Sequence, residues 1–292
     1  MIHCPHCAAP AQPDWQFCEE CGKQLGELIA AEPTMRFSPG DEGVLDLGAV
    51  AGVTDIGLRR PRNEDAVAVG TQGPVLAAVI CDGVATSAHS ETAAGLGVSE
   101  GLRALLDACA KGEPPGSATA TGLIAAASAV AALGTPGDRN PPCCTYVSAL
   151  FHEGSVVIGW VGDSPAYWIG PAGAHRLTVD DSAAGRLIAE GVSPDDPRFA
   201  TPMAHALERW LGADAGPVTP KVHRFVPDSS GLVVICSDGL SQYLDAKVVA
   251  PVDHLSTPST AVRLLLGRAL GAGGGDNISV AALACPATEE DA

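Results

Sequence analysis

The chain has 292 residues, a formal net charge of −17, 46% apolar and only 4% aromatic side chains. That length holds one large domain with room for a small appendage, and the scarcity of aromatics leaves Ala, Val and Leu to build the core. The charge argues against a non-specific nucleic-acid binder, which needs clustered Lys and Arg, and fits a soluble protein whose site gathers cations.

The first element in chain order is CPHCAAPAQPDWQFCEECG, in which Cys4, Cys7, Cys18 and Cys21 form two C-x2-C knuckles. Four thiolates at this spacing reach one tetrahedral ion, and so short a segment would take its folding free energy from that ion. One structural Zn is expected, with iron in a rubredoxin-like site as the alternative. The segment resembles the short zinc ribbons at the ends of bacterial regulatory proteins. The other six of the ten cysteines mostly lie in apolar context and read as small core residues of a reducing compartment. The N-terminus MIHCPHCAAP lacks the basic and apolar regions of a signal peptide, and no apolar run reaches roughly 18 residues, so a cytoplasmic protein without a membrane span is expected.

Residues 28–45 mix Pro, Gly and charge without a period and read as a linker. Beyond them AVAGVTDIG, AVAVG, VLAAVIC, TYVSALFHEG, SVVIGWVGD, AYWIG, GLVVICSD and ISVAALA read as short strands bounded by Gly, Pro and Asp. EGSV between two of them predicts a hairpin and antiparallel neighbours. Helical stretches are expected at 89–111, 117–133, 183–191, 240–248 and 259–270. The two long helices come together rather than alternating with strands, which predicts an α+β fold with helices layered on antiparallel sheets.

Two aliphatic runs end on Asp-Gly, at Asp82-Gly83 and Asp238-Gly239, and a third ends on Asp163. A strand end holds a carboxylate on a rigid support, and a following Gly lets ligand and backbone approach. Glu64 and Asp65 precede an early strand, and Asp276 and Asn277 precede the last. Carboxylates converging on one place repel each other unless cations neutralise them, so a divalent metal site follows, and oxygen-only ligands point to Mg or Mn. An isolated Asp-Gly is commonly only a turn; the order and spacing carry the signal. GAGGGDN is not a phosphate loop, because a strand follows it and no Gly-Lys-Ser/Thr does.

The ordered set TDIGLRRPRNED, VICDG, GWVGDSPAY, LTVDDS, ICSDGL and GGGDNISV resembles the PPM-type, protein phosphatase 2C-like metal-dependent serine/threonine phosphatases in their bacterial form. The resemblance covers roughly 46–287. It implies a four-layer α/β/β/α sandwich and hydrolysis of phosphoserine and phosphothreonine by water activated at two Mn or Mg ions, without a covalent phospho-enzyme. On it, Asp82 bridges both ions, the Gly83 carbonyl, Asp238 and Asp276 complete the protein ligands, and Asp163 serves a weaker third ion. Glu64 and Asp65 orient water, and Arg60 grips phosphate, with Arg59 and Arg62 as competitors.

The implied domains are a ribbon at 1–27, the linker, a phosphatase domain at 46–287 and a tail at 288–292. The implied partners are phosphoproteins, including a serine/threonine kinase or its substrates, with no nucleic acid and no membrane. Relatives carry Met-Gly-Gly-His where this chain has Val84, Ala85, Thr86 and Ser87, Arg in place of Pro165, and His in place of Asp181. His89 is a candidate stand-in for the lost histidine. The alternative is a catalytically weakened pseudo-phosphatase that binds phosphoprotein as a sensor or scaffold. A haloacid dehalogenase-like phosphotransferase needs D-x-D after its first strand, which neither ICDGVAT nor CSDGLS supplies.

Overall fold

The computed structural model describes residues 2–3, 9–11, 19–22, 34–38, 43–135, 137–193, 195–248 and 250–287. Of the expected zinc ligands, Cys4, Cys7 and Cys18 lie outside these, and Cys21 sits exposed in a turn. Near the N-terminus β1 (Ile2–His3) pairs with β2 (Pro10–Ala11). Next come β3 (Thr34–Ser38), β4 (Leu45–Asp46), β5 (Val50–Asp55), β6 (Asp65–Gln72) and β7 (Val75–Asp82), then α1 (Ser90–Ala110) and α2 (Pro115–Ala131). The middle holds β8 (Cys143–Cys144), β9 (Tyr146–His152), β10 (Ser155–Val161), β11 (Ala166–Gly170), β12 (Gly173–Arg176) and α3 (Ala183–Ala189). After two 3₁₀ turns follow β13 (Leu211–Gly212), β14 (Lys221–Phe225), β15 (Gly231–Cys236), α4 (Asp238–Asp245), α5 (Pro258–Gly271) and β16 (Ile278–Cys285).

Two six-stranded antiparallel sheets result, in the orders β14-β10-β9-β7-β6-β3 and β12-β11-β15-β16-β5-β4. Alternation along the strands sorts the side chains into layers. Leu76, Ala78 and Ile80 of β7 face Val233 and Ile235 of β15 between the sheets. Ala77, Val79 and Cys81 face α1 and α2 on one outer side, and Leu232, Val234 and Cys236 face α4 and α5 on the other. The layers run α/β/β/α. With few aromatics the helices must pack closely, and they do: a Cβ at Gly122 of α2 would stand 2.7 Å from the Gly101 carbonyl of α1.

The expected hairpin joins β9 to β10 through Glu153 and Gly154, both left-handed at φ 49° and 69°, the two-residue geometry that matches strand twist. One expectation needs correction. Within the stretch read as linker, Thr34–Ser38 pairs with β6 and Leu45–Asp46 with β5, as edge strands. An edge strand has one neighbour and little to bury, so TMRFS carries no aliphatic alternation that would mark it. Among the described residues no helix is long and apolar enough to cross a membrane.

Candidate active site

The strands deliver their acidic residues to one edge of the sandwich. Asp65 opens β6, Asp82 closes β7, and the two are cross-strand partners. Asp163 follows β10 after Gly162, at φ 106°. Asp238 begins α4 directly beyond β15, where the positive end of a helix favours a carboxylate. Asp276 stands two residues before β16. Asp82, Asp163, Asp238 and Asp276 line one cleft of about 520 Å³ together with Arg60 and Glu64. Gly83 sits at its floor, donating its N–H to the Glu64 carbonyl (3.1 Å), and a Cβ there would stand 2.6 Å from that same oxygen. Asp65 lies deeper, 2% exposed, and accepts the Ser237 hydroxyl at 2.7 Å.

These acids press on each other's charge. Burial, then Asp65, Asp238, Asp163 and Asp276, push the Asp82 carboxyl well above the carboxylate range. Burial carries Asp65 to about 7, the Ser237 hydroxyl working against it and Asp238 with it. Burial and then Asp238 take Asp163 to about 7, and burial and then Asp276 raise Asp238. Mutual elevation of this kind is what a divalent cation relieves, and the donors are all oxygens, which suits Mg or Mn. Among the described residues no three acidic, His or Cys side chains already enclose a single point. The Arg60 guanidinium meanwhile takes up Asp276 Oδ2 at 2.5 Å. The cleft is an open-sided cradle whose donor chemistry fits hard divalent ions.

Several residues order this cradle, and of these the sequence marks Asn277 alone, as the neighbour of Asp276. Asn277 accepts the Glu64 N–H (2.8 Å) and donates to the Ile56 and Arg62 carbonyls (2.9 and 3.0 Å), clasping the 56–64 loop against the last strand. Thr145 Oγ1 accepts the Asp82 N–H (3.1 Å) and lies 2.7 Å from Ser164 Oγ, joining two acidic strand ends. Ser237, at the N-cap of α4, gives its hydroxyl to Asp65 instead of capping the helix. Thr145 and Ser237 are each one hydroxyl among many; only the fold singles them out.

Residues 59–265 match the protein phosphatase 2C family. The chain belongs to that family. Residues 1–25 match the zinc-ribbon domain family. Serine/threonine phosphatase Stp of Listeria innocua is 31% identical over 146 residues, 49% of this chain and 57% of that protein. Serine/threonine protein phosphatase PstP of Mycobacterium tuberculosis is 26% identical over 231 residues, 78% of this chain and 43% of that protein. The chain thus spans about half the length of these curated relatives. The crystal structure of the PstP catalytic domain in complex with two manganese ions superposes with a TM-score of 0.58 at 22% identity, covering 86% of this chain and 99% of that one. MsPP of Mycobacterium smegmatis, a PPM Ser-Thr phosphatase solved in complex with cacodylate, gives 0.62 at 26% identity over 84% and 100%.

Within this phosphatase 2C fold Arg60 and Arg62 separate. Arg60 lines the cleft, whereas Arg62 is held by Glu64 (2.7 Å) and reaches toward Glu91 of α1 (3.9 Å). Glu64 Oε1 also accepts the Ser90 hydroxyl at 2.5 Å, so this carboxylate ties the cleft floor to α1. The loop at 84–87 makes a turn (Ser87 N to Val84 O, 2.8 Å) anchored on the Cys143 carbonyl by Val84 N–H (3.1 Å). His89 does not enter the cleft: it sits at the N-cap of α1, left-handed, its side chain 76% exposed and 3.8 Å from Glu91. His205, passed over in the sequence, lines the cleft from the segment before β13.

Proposed function

We propose that the protein hydrolyses phosphoserine and phosphothreonine in proteins, using two Mn or Mg ions. The observation that carries this reading is the meeting of Asp82, Asp163, Asp238 and Asp276 beside Arg60 in one cleft. When bound, the ions would supply a water activated near neutral pH and neutralise charge on the phosphoryl oxygens. Asp82, the Gly83 carbonyl, Asp238 and Asp276 would hold the pair, and Asp163 a weaker third ion. Glu64 and Asp65 would orient water from the cleft floor. Arg60 would leave Asp276 as the ions enter and offer its planar fork to the phosphate. No side chain is needed as a nucleophile, which agrees with the thiols here: burial raises Cys81 and Cys143, keeping them protonated. Two named relatives that are serine/threonine phosphatases and a neighbour solved with two manganese ions support the reading.

The test is Mn-dependent release of phosphate from a phosphopeptide, lost in Asp82→Ala and Asp238→Ala. Equal rates in wild type and both variants would remove the proposal. A second reading, the weakened scaffold, draws on the Arg60 contact with Asp276 and on the altered 84–87 loop. Calorimetry distinguishes the two: a scaffold takes up neither Mn nor Mg while still binding phosphoprotein. The ribbon, with a zinc on Cys4, Cys7, Cys18 and Cys21, would recruit the kinase or its substrates. Removing 1–27 should then weaken partner capture and spare turnover of a small ester; equal loss of both would contradict it.

A further inference from the structure

Asp181, directly after Asp180 on the approach to α3, is held in a buried setting between cations. Its side chain is almost wholly buried, 5% exposed for the residue. Oδ2 accepts the Gly162 N–H at 3.1 Å. Oδ1 meets Lys221 Nζ at 2.6 Å and Arg209 Nη1 at 3.5 Å. Its backbone is committed as well, N–H to the Gly162 carbonyl (2.8 Å) and carbonyl to the Glu208 N–H (2.7 Å). One residue thus joins three places far apart in sequence: the turn that presents Asp163, the segment ending at β13, and the edge strand β14.

The segment it holds forms a wall of the cleft. Among the described residues between Ala183 and β13 only α3 and two 3₁₀ turns are regular, yet this stretch places His205, Leu207 and Trp210 on the cleft. Its other attachments near this root include the pairing of Ser182 with Leu207, the Ala183 N–H to the Ala206 carbonyl (3.2 Å), the Arg186 Nε to Glu208 Oε1 (3.0 Å) and the Arg209 Nη2 to the Thr219 carbonyl (2.5 Å). A buried carboxylate is costly unless paired and hydrogen-bonded, and here two cations and an amide do so. A neutral side chain of the same shape would keep the Gly162 bond but leave Lys221 and Arg209 facing one another without an anion.

We propose that Asp181 is a positioning residue that fastens the wall bearing His205, Leu207 and Trp210 to the turn of Gly162 and Asp163, and so governs how well the cleft holds a phosphorylated protein segment as against a small phosphate ester. The part concerning substrate rests on the phosphatase reading above; the fastening does not. A small ester needs only the metal cradle and Arg60, whereas a peptide chain must also lie against the wall.

The test uses the full chain as wild type, Asp181→Asn and Lys221→Met, the last at a partly exposed side chain, 38% accessible. Hydrogen exchange needs no turnover. Amides of 203–211 should exchange about ten-fold faster in Asp181→Asn, with β7 and β16 unchanged, and shift in the same direction but less in Lys221→Met, where Arg209 still reaches the carboxylate. With Mn present, Asp181→Asn should raise KM for a phosphopeptide about five-fold while its kcat and the KM for p-nitrophenyl phosphate stay within about two-fold. Unchanged exchange at 203–211 in both variants would overturn the fastening. Equal changes of KM for the two substrates would overturn the substrate role. If Asp181→Asn exchanges faster everywhere, Lys221→Met decides: a local change supports the proposal and no change refutes it. A wild type inactive on both substrates would refute the phosphatase reading and with it the substrate role, leaving the exchange result to judge the fastening alone.

Discussion

The sandwich has a hollow at each end, nearly equal in size and opposite in chemistry. At one end about 520 Å³ is lined by Asp82, Asp163, Asp238, Asp276, Glu64 and Arg60. At the other about 500 Å³ is lined chiefly by apolar groups, among them Leu76, Phe151, Leu232 and Cys285. The same strands reach both: β7 starts beside Leu76 and ends on Asp82, and β15 starts at Gly231 and ends just before Asp238. At the polar end burial and neighbouring acids together raise the carboxyl pKa values, the pattern that accompanies functional sites. The apolar end is ordinary packing. The sheets thus carry stability along their length and concentrate chemistry where strands stop.

The sharpest way to break that contrast is to neutralise the polar end. Asp82→Asn should lower Mn-dependent hydrolysis by about 10³-fold, since it removes a charged donor at the reacting centre. It should not destabilise the metal-free protein, because the wild-type carboxyl is already driven toward its neutral form by burial and its acidic neighbours. Mn should raise the melting temperature of wild type and leave that of Asp82→Asn unmoved. A metal-free variant that melts far below wild type would show that Asp82 serves packing instead.

The converse change strikes the apolar end. Phe151 is 8% exposed and packs in the core between the sheets. Phe151→Ala should cost about 3 kcal/mol of stability in chemical denaturation. Activity per folded molecule and Mn affinity should stay as in wild type. A selective loss of Mn affinity would mean the two ends are coupled through the sheets.

What the sequence discloses divides along a similar line. Central strands such as VLAAVICDG and GLVVICSDG are buried on both faces, so they are continuous apolar runs, and their terminal acids stand out against them. Edge strands such as Thr34–Ser38 are paired on one side only and pass for linker. The proposed metal donors are legible because the chemistry demands their residue type. The contacts that position them are not: Asn277 and Glu64 are 213 residues apart, and Ser237 and Asp65 are 172 apart. The histidines illustrate the limit. His89 lies near the acidic strand end in sequence yet points to solvent, while His205 reaches the cleft. Of the ribbon, three of four cysteines fall outside the described residues.

Titration gives a smaller effect of definite sign at the polar end. Asp65 and Asp163 lie at about 7 in the folded metal-free chain against an ordinary 3.8. Between those values the folded state binds more protons than the unfolded one, so the contribution of these two groups to stability falls as pH rises from about 4 to about 7. The metal-free protein should therefore denature more readily at pH 7.5 than at pH 5. Saturating Mn should reverse the trend, because ligands must shed their protons to bind it. A metal-free midpoint that climbs through this window would contradict the crowding of acids.

The smallest expected effect lies at the turn that closes the apolar end. Gly73 joins β6 to β7 between the paired residues Gln72 and Val75, with φ at 55° and no atom within 4 Å of where a Cβ would stand. Gly73→Ala therefore meets no clash, and its cost comes from the backbone alone. A left-handed conformation penalises an L side chain by about 1–2 kcal/mol. The reduced freedom of the unfolded chain returns roughly 0.4–1 kcal/mol of that. The net loss should lie between about 0 and 1.6 kcal/mol, a shift of a few degrees or less in melting temperature. Asp82 lies at the far end of the same strand, so hydrolysis and Mn binding should not change. A measurable loss of activity in Gly73→Ala would show that β7 transmits strain along its whole length, and the two ends could no longer be treated as independent.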